Sequence, residues 1–202
     1  MELLTANSKI RKTGKHFGVK LLNFGITAYK SKSTGRIICP FASSCVKYCY
    51  AQKGAYKFGN VAPVFERRYL LTLEKTFEQE MENEIRKKKP NFIRVHDSGD
   101  FYSREYLNKW LRIARTFPEV KCYAYTNSLN LIREASIPGN FDFIFSDGGK
   151  LAHTIDKEDE RHSIVFQTKN DMTAAGYVDS SEYDLYATKW FNDSNKVGLL
   201  MH

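Results

Sequence analysis

Three of the four cysteines, Cys39, Cys45 and Cys49, fall within eleven residues in the spacing C-x5-C-x3-C. Soft thiolates set this close suit iron–sulfur or zinc rather than calcium or magnesium. Three thiolates hold three irons of a 4Fe–4S cube and leave the fourth iron open to a substrate or cofactor. Two other readings stay open. A structural zinc site takes a fourth ligand, which Cys122 or His96 could supply, although the paired C-x2-4-C spacing of such sites is missing. Inert thiols are the remaining reading. Disulfides would suit a secreted chain, but no apolar segment follows Met1, and the cysteines are expected in a reducing cytoplasm.

These residues need elements to position them. Residues 92–96, 121–126, 141–145 and 163–167 read as strands, separated by helical stretches over 103–117 and 128–135. Residues 19–28 read as a strand with a kink at Gly25, 36–38 as a short strand entering the cysteine loop, and 184–188 as a weak final candidate. A long helix is expected over 61–88, because Phe65, Tyr69, Leu73, Phe77, Met81 and Ile85 recur every four residues. Asn60 caps it, Pro63 fits its first turn, and the basic run from Arg86 to Lys89 suits its negative pole before Pro90 stops it. Strands alternating with helices imply a mainly parallel sheet of five or six strands with right-handed crossovers. The chemistry of such folds sits at the carboxyl ends of the strands. The polar groups obey that rule: His96 to Asp100, Thr126 to Ser128, Ser146 to Gly149 and Gln167 to Lys169 each follow a strand. The cysteine loop is expected on the same rim, and the Arg86–Lys89 run on the opposite one.

At 202 residues the chain is expected to form one domain, residues 1–202, with 1–18 as a basic N-terminal arm. Fourteen Phe and twelve Tyr argue against disorder. No apolar run is long enough to span a bilayer, so no membrane partner is expected. The net charge is +8, yet residues 1–60 hold eleven Lys and Arg against the single acid Glu2. That segment carries +10 and the rest −2. A positive field gathered around the cysteines recruits anions such as nucleic acid, phosphates or an acidic peptide. A solvated lysine-rich surface is the plain alternative for any one lysine.

The order cysteine triad, long helix, strand ending in Ser98-Gly99-Asp100, helix, strand ending in Thr126-Asn127-Ser128 resembles the radical S-adenosylmethionine (SAM) superfamily. The resemblance implies a partial (β/α) barrel and a 4Fe–4S cluster on Cys39, Cys45 and Cys49. In that family a Gly-Gly-Glu-like motif binds the methionine amino group, a part that Ser98, Gly99 and Asp100 would take here with a shorter acid. Asn127 and the backbone near Tyr48, the aromatic before the last cysteine, would hold ribose and adenine. An electron donor would reduce the cluster, and SAM would be the second cofactor. The spacing C-x5-C-x3-C departs from the common C-x3-C-x2-C. The segments Cys49-Tyr50-Ala51 and His96 to Ser103 also resemble a phage-encoded gene-product-88-like family, which implies a host-cytoplasmic protein.

Two functions therefore compete. One is a radical SAM-type enzyme acting on an anionic substrate, nucleic acid among them. The other is a non-catalytic phage nucleic-acid-binding or host-interaction protein with a structural metal, its phosphate contacts and stacking supplied by basic residues and by Tyr50, Tyr56 and Phe58. No G-x-S-x-G, H-E-x-x-H or P-loop supports a hydrolase. Ordinary structural roles compete for the same residues: Asp97 and Asp100 as capping turns, Asn127 as a turn residue, His96 as a packed histidine, Cys122 as a core thiol and Asp147 to Gly149 as a plain turn.

Overall fold

The computed structural model describes residues 1–201. Its frame is a curled, all-parallel sheet of seven strands in a half-barrel. The strands are β1 (Leu21–Phe24), β2 (Phe92–Val95), β3 (Lys121–Thr126), β4 (Phe141–Ser146), β5 (His162–Phe166), β6 (Val178–Asp179) and β7 (Lys196–Leu200), in the order β1-β2-β3-β4-β5-β7-β6. The partial parallel barrel expected from the alternating pattern is present, with seven strands instead of five or six. The two added strands, β6 and β7, lie in a C-terminal stretch where short, weakly apolar segments hide the period-2 signal. The weak candidate at 184–188 is instead a 3-10 turn, Asp184–Ala187, whose Leu185 and Ala187 are buried. The short strand expected at 36–38 is a single antiparallel bridge, Lys30 to Ile37.

The expected basic arm is a docked helix, α1 (Ser8–Phe17), preceded by Leu3 and Leu4 in the core. Asn7 accepts the Ile10 N–H at 2.9 Å, and Gly18 ends the helix in the left-handed region at φ 62°. Ile10, Thr13 and Gly14 are buried and Phe17 packs beside them, a sparse stripe at helical spacing that the surrounding basic residues masked.

The long helix expected over 61–88 is two helices, α3 (Ala62–Leu73) and α4 (Phe77–Lys88). A four-residue repeat on a 3.6-residue helix advances about 40° per step, so six such positions cannot face one sheet. The break at residues 74–76 resets the stripe. Leu73 has rotated to 41% exposure, while Phe77, Met81 and Ile85 are buried again. Lys109 donates to the carbonyls of Thr72 and Glu74, both at 2.9 Å, and so satisfies acceptors that the break exposes. The Arg86–Lys89 run acts as a helix terminus: Lys88 pairs with Glu2 and Glu84, and Arg86 with Glu82.

Helices α3, α4, α5 (Arg104–Thr116) and α6 (Leu129–Arg133) contribute to the core cluster that covers one face of the sheet, over Phe24, Ile93, Val95, Ala124 and Phe143. The other face carries Leu21, Phe92, Tyr123, Ile144 and Val197 under Ile10 of α1 and the Asp184–Ala187 turn. That second face also buries charge. Asp184, with no exposed surface, pairs with Lys9 at 2.8 Å and Arg94 at 3.0 Å and accepts from Tyr123 at 2.6 Å.

Burial alone would raise the Asp184 carboxyl, but Arg94 and Lys9 outweigh it and hold the group down to about 2. A folded-state value below the ordinary 3.8 contributes stability above about pH 4 and loses it as pH falls toward 2. The shift corresponds to about 2 kcal/mol. Asp184→Asn should therefore melt well below the native chain at pH 5, and the gap should close toward pH 2. Urea melts across that range check this; a gap of constant size would contradict it.

Candidate functional site: the strand-end rim

The loops after β1, β2 and β3 are tied together at the carboxyl ends of their strands, and the end of β4 is bonded to the start of β5. The Ile26 N–H donates to the Ser98 carbonyl at 3.0 Å, joining the loops after β1 and β2. Asn127, after β3, donates its backbone N–H to Asp100 at 2.9 Å. Asp147, after β4, donates to the Ser163 carbonyl at 3.1 Å. The cysteine loop lies across this rim: the N–H groups of Ser43 and Cys45 share the Gly148 carbonyl at 3.1 and 3.3 Å, and Ala42 bridges Gly149.

Asp100 is the rim's buried clasp, with 2% of its surface exposed. One carboxylate oxygen accepts from the Phe101 N–H at 2.7 Å and the Thr126 hydroxyl at 2.6 Å, and the other accepts from Asn127. Burial pushes its pKa up, and these donors oppose the rise. The Thr126 hydroxyl in turn accepts from the Ser128 N–H at 2.9 Å. A capping role toward the helix at Ser103 is not what Asp100 performs, because Ser103 caps α5 itself by accepting from Tyr106.

Cys39, Cys45 and Cys49 are free thiols, each half-buried. Burial raises Cys39 and Cys45, and the Asp100 carboxylate adds to the rise in both. Asn127 turns its side-chain amide toward Cys45, with Nδ2 3.7 Å from Sγ, while its Oδ1 is buried and unpartnered. Gly148 lies flat against Cys45: a Cβ there would stand 2.8 Å from the Cys45 Cβ. Among the described residues, no three His, Cys, Asp or Glu side chains converge as ligands of one metal ion. A single zinc draws its ligands to about 2.3 Å from one point. By donor type alone, three soft thiols suit zinc or iron–sulfur chemistry.

The other expected residues divide by environment. Gly99 adopts φ 87°, and a Cβ there would stand 2.4 Å from Ile26 Cγ1, so glycine is required by the backbone and by packing. Ser98 is buried beneath it, and Tyr48 leaves 65% of its surface to solvent beside Cys49. His96 is buried and bonded to the Tyr106 hydroxyl at 2.8 Å, and burial drives its pKa down to about 3. It is a packed neutral ring, and Cys122 is a core thiol. Neither is placed as a fourth ligand.

Two sets of contacts carry no local signal, although their residues were expected on this rim. The turn at Asp147–Gly149 is the platform for the cysteine loop, assisted by Lys150, which donates to the carbonyls of Phe41 and Pro40. Beneath the loop, Asp97 is buried and accepts from Asn23 at 2.7 Å and Tyr56 at 3.4 Å, while its Oδ1 is unpartnered. Tyr50 is 55% exposed, yet its hydroxyl end reaches inward to the Asp97 carbonyl and Arg94. Such contacts join residues more than forty positions apart, which no local pattern reports.

Fold and rim define an α/β half-barrel that carries a three-cysteine loop on the carboxyl edge of its sheet. The family model described as Gene product 88 matches residues 1–201, and the chain belongs to that family. It is 33% identical over 100 residues to the Gene 88 protein of Mycobacterium phage D29 and 34% identical over 100 residues to that of Mycobacterium phage L5. Each match covers 44% of this chain and 42% of the relative, so less than half of either relative is spanned. No solved structure matches the chain. The phage gene-product-88 resemblance is thus borne out, and it brings no activity or cofactor with it. Among the described residues no helix is long and apolar enough to cross a membrane.

Asp100→Ala would orphan two buried N–H groups and a hydroxyl, and is expected to cost about 3 kcal/mol. Cys45→Ala, on a half-buried loop, should cost about 1 kcal/mol or less. Urea denaturation of both variants separates clasp from site; equal losses would mean that the loop, not Asp100, holds the rim.

Proposed function

We propose that this protein is a radical SAM-type enzyme that holds a 4Fe–4S cluster through Cys39, Cys45 and Cys49 and acts on an anionic substrate. The observation that supports the reading is a loop of three free, half-buried thiols laid across the carboxyl rim of a parallel half-barrel, where Asn127, held by Asp100, donates toward Cys45. Such a cluster, reduced by an external donor, supplies the electron that cleaves the sulfonium of S-adenosylmethionine.

The chain's own residues position and shield. Asp100 fixes Asn127 through its backbone N–H, and Asn127 directs its amide at Cys45. An N–H aimed at a thiolate sulfur stabilises its charge and orients the ligand. The second oxygen of Asp100 accepts one bond within the chain, which leaves a lone pair for a ligand ammonium. Gly148 and Gly149 keep the space beside Cys45 and Asn127 free of side chains. Tyr50 and Tyr56 close the rim over Asp97 and limit water from below.

The competing reading is a structural metal in a binding protein, favoured by the saturation of one Asp100 oxygen with donors from the chain itself. Anaerobic purification with iron and sulfide assays separates the two. About four irons and four sulfides per chain, with a brown absorption that dithionite bleaches and Cys45→Ala abolishes, is the expected result. One zinc per chain without visible absorption would sink the enzyme reading.

A further inference from the structure

Among the described residues, all four exposed large aromatics, Tyr29, Tyr48, Tyr50 and Phe58, sit on the segment 29–58 that bears the cysteines. Interleaved with them are six exposed cations: Lys30, Lys32, Arg36, Lys47, Lys53 and Lys57. No Asp or Glu occurs between Glu2 and Glu66, and none of these six makes a salt bridge among the described residues. Glu66 is itself turned to the scaffold, accepting from Ser31 and the Ser33 N–H. Beside Cys39 a groove of about 460 Å³ is lined by Tyr29, Ile37, Lys47 and Lys150 among others.

Tyr29 adds an independent sign. It sits at φ 57°, in the left-handed region that a bulky side chain rarely adopts, and its carbonyl accepts the Ile38 N–H at 2.6 Å. The ring is thus kept 37% exposed at the groove against a backbone cost. Ring faces bared at intervals, among cations of one sign, match a strand whose bases are unstacked and whose charge repeats. Duplex bases offer no free faces for stacking. An acidic protein would match the charge, but it would leave the bared ring faces without stacking partners.

We infer that the groove and the surrounding 29–58 surface bind single-stranded nucleic acid, by lysine contacts to phosphates and by stacking of bases on Tyr29 and Phe58. This names the substrate class of the enzyme reading above and in that sense rests on it, although the surface itself needs no cluster.

The test is fluorescence anisotropy with a labelled twelve-residue oligothymidylate, using anaerobically purified protein and Cys45→Ala in parallel. Both are expected to bind, so loss of iron and loss of oligonucleotide are separate results. With about −0.7 per phosphate contact, three to five contacts give a log–log salt slope of about −2 to −3.5. Lys47→Ala with Lys53→Ala should make that slope shallower by about 1.4. Phe58→Ala and Tyr29→Gly should each weaken binding by about tenfold without changing retention on heparin, which reads charge alone. Tyr29→Gly also relieves the backbone, so its melting temperature should not fall, and lost binding cannot be ascribed to unfolding. The proposal is overturned by absence of binding at 50 mM salt, by stacking variants that bind unchanged, by a duplex of equal length that binds as tightly, or by polyglutamate that competes as well as the oligonucleotide. The last outcome would assign the surface to an acidic protein.

Discussion

The burial of one carboxylate constrains everything at the rim. Asp100 lies where a charge survives only if donors surround it, and the donors come from both sides of the gap between β2 and β3. Meeting that demand fixes the loop after β3. Asn127 is then placed against Cys45 and against Gly149, and the Gly148 carbonyl receives the cysteine loop. The loop itself is short of regular structure, with the single turn α2 (Cys45–Tyr48) and two 3-10 turns, Tyr50–Gln52 and Gly54–Lys57. Its position is therefore inherited from the strand ends beneath it. A change far from any sulfur, at Thr126 for example, would reach the thiols through this chain of bonds.

The sheet's two faces solve different problems. Under the crossover helices the face is apolar and aromatic, and it provides most of the burial that holds the domain together. The opposite face is closed by α1 and the Asp184–Ala187 turn, and it contains paired charge. Lys9 is one of the basic residues of the first sixty, and it is consumed in this internal pairing rather than offered to a ligand. Lys12 pairs with Glu182 in solvent, at the edge of the same helix. The positive character of the N-terminal third thus splits into an inner part that docks α1 and an outer part on residues 30–57 that stays free. Net charge alone could not make that distinction.

The alternation of strand and helix was legible in the sequence from 92 to 166, because parallel strands buried on both faces appear as compact apolar runs flanked by polar turns. The placement of His96–Asp100, Thr126–Ser128 and Ser146–Gly149 on one rim followed from the same rule. What remained hidden depends on partners distant in the chain. Helix α1 has a sparse apolar face, Ile10 and Phe17, and is held further by Asn7, Thr13 and Lys9 against residues near 97 and 184. Strand β6 has two residues and exists through its pairing with β7. The break between α3 and α4 was implicit in the four-residue repeat, whose drift no straight helix tolerates. The exposure of Tyr29 and its positive φ carry no local signal at all.

Backbone strain at the end of β2 explains how one short loop serves both faces. His96 stands at φ 66°, uncommon for a residue other than glycine, and its N–H and that of Asp97 both donate to the Phe24 carbonyl at 2.8 and 3.2 Å. The reversal sends consecutive polar groups in opposite directions. The His96 ring goes under the crossover helices to Tyr106 and Phe101, while the Asp97 side chain goes to Asn23, Asn7 and Tyr56 on the α1 side. Three residues on, past the second positive φ at Gly99, Asp100 returns to meet Thr126. A relaxed strand end would carry both carboxylates outward along the strand, and neither would be enclosed. Burial of His96 and Tyr106 holds the strained turn in place, so the core on one face sets the position of the acids that face the thiols and the aromatic lid.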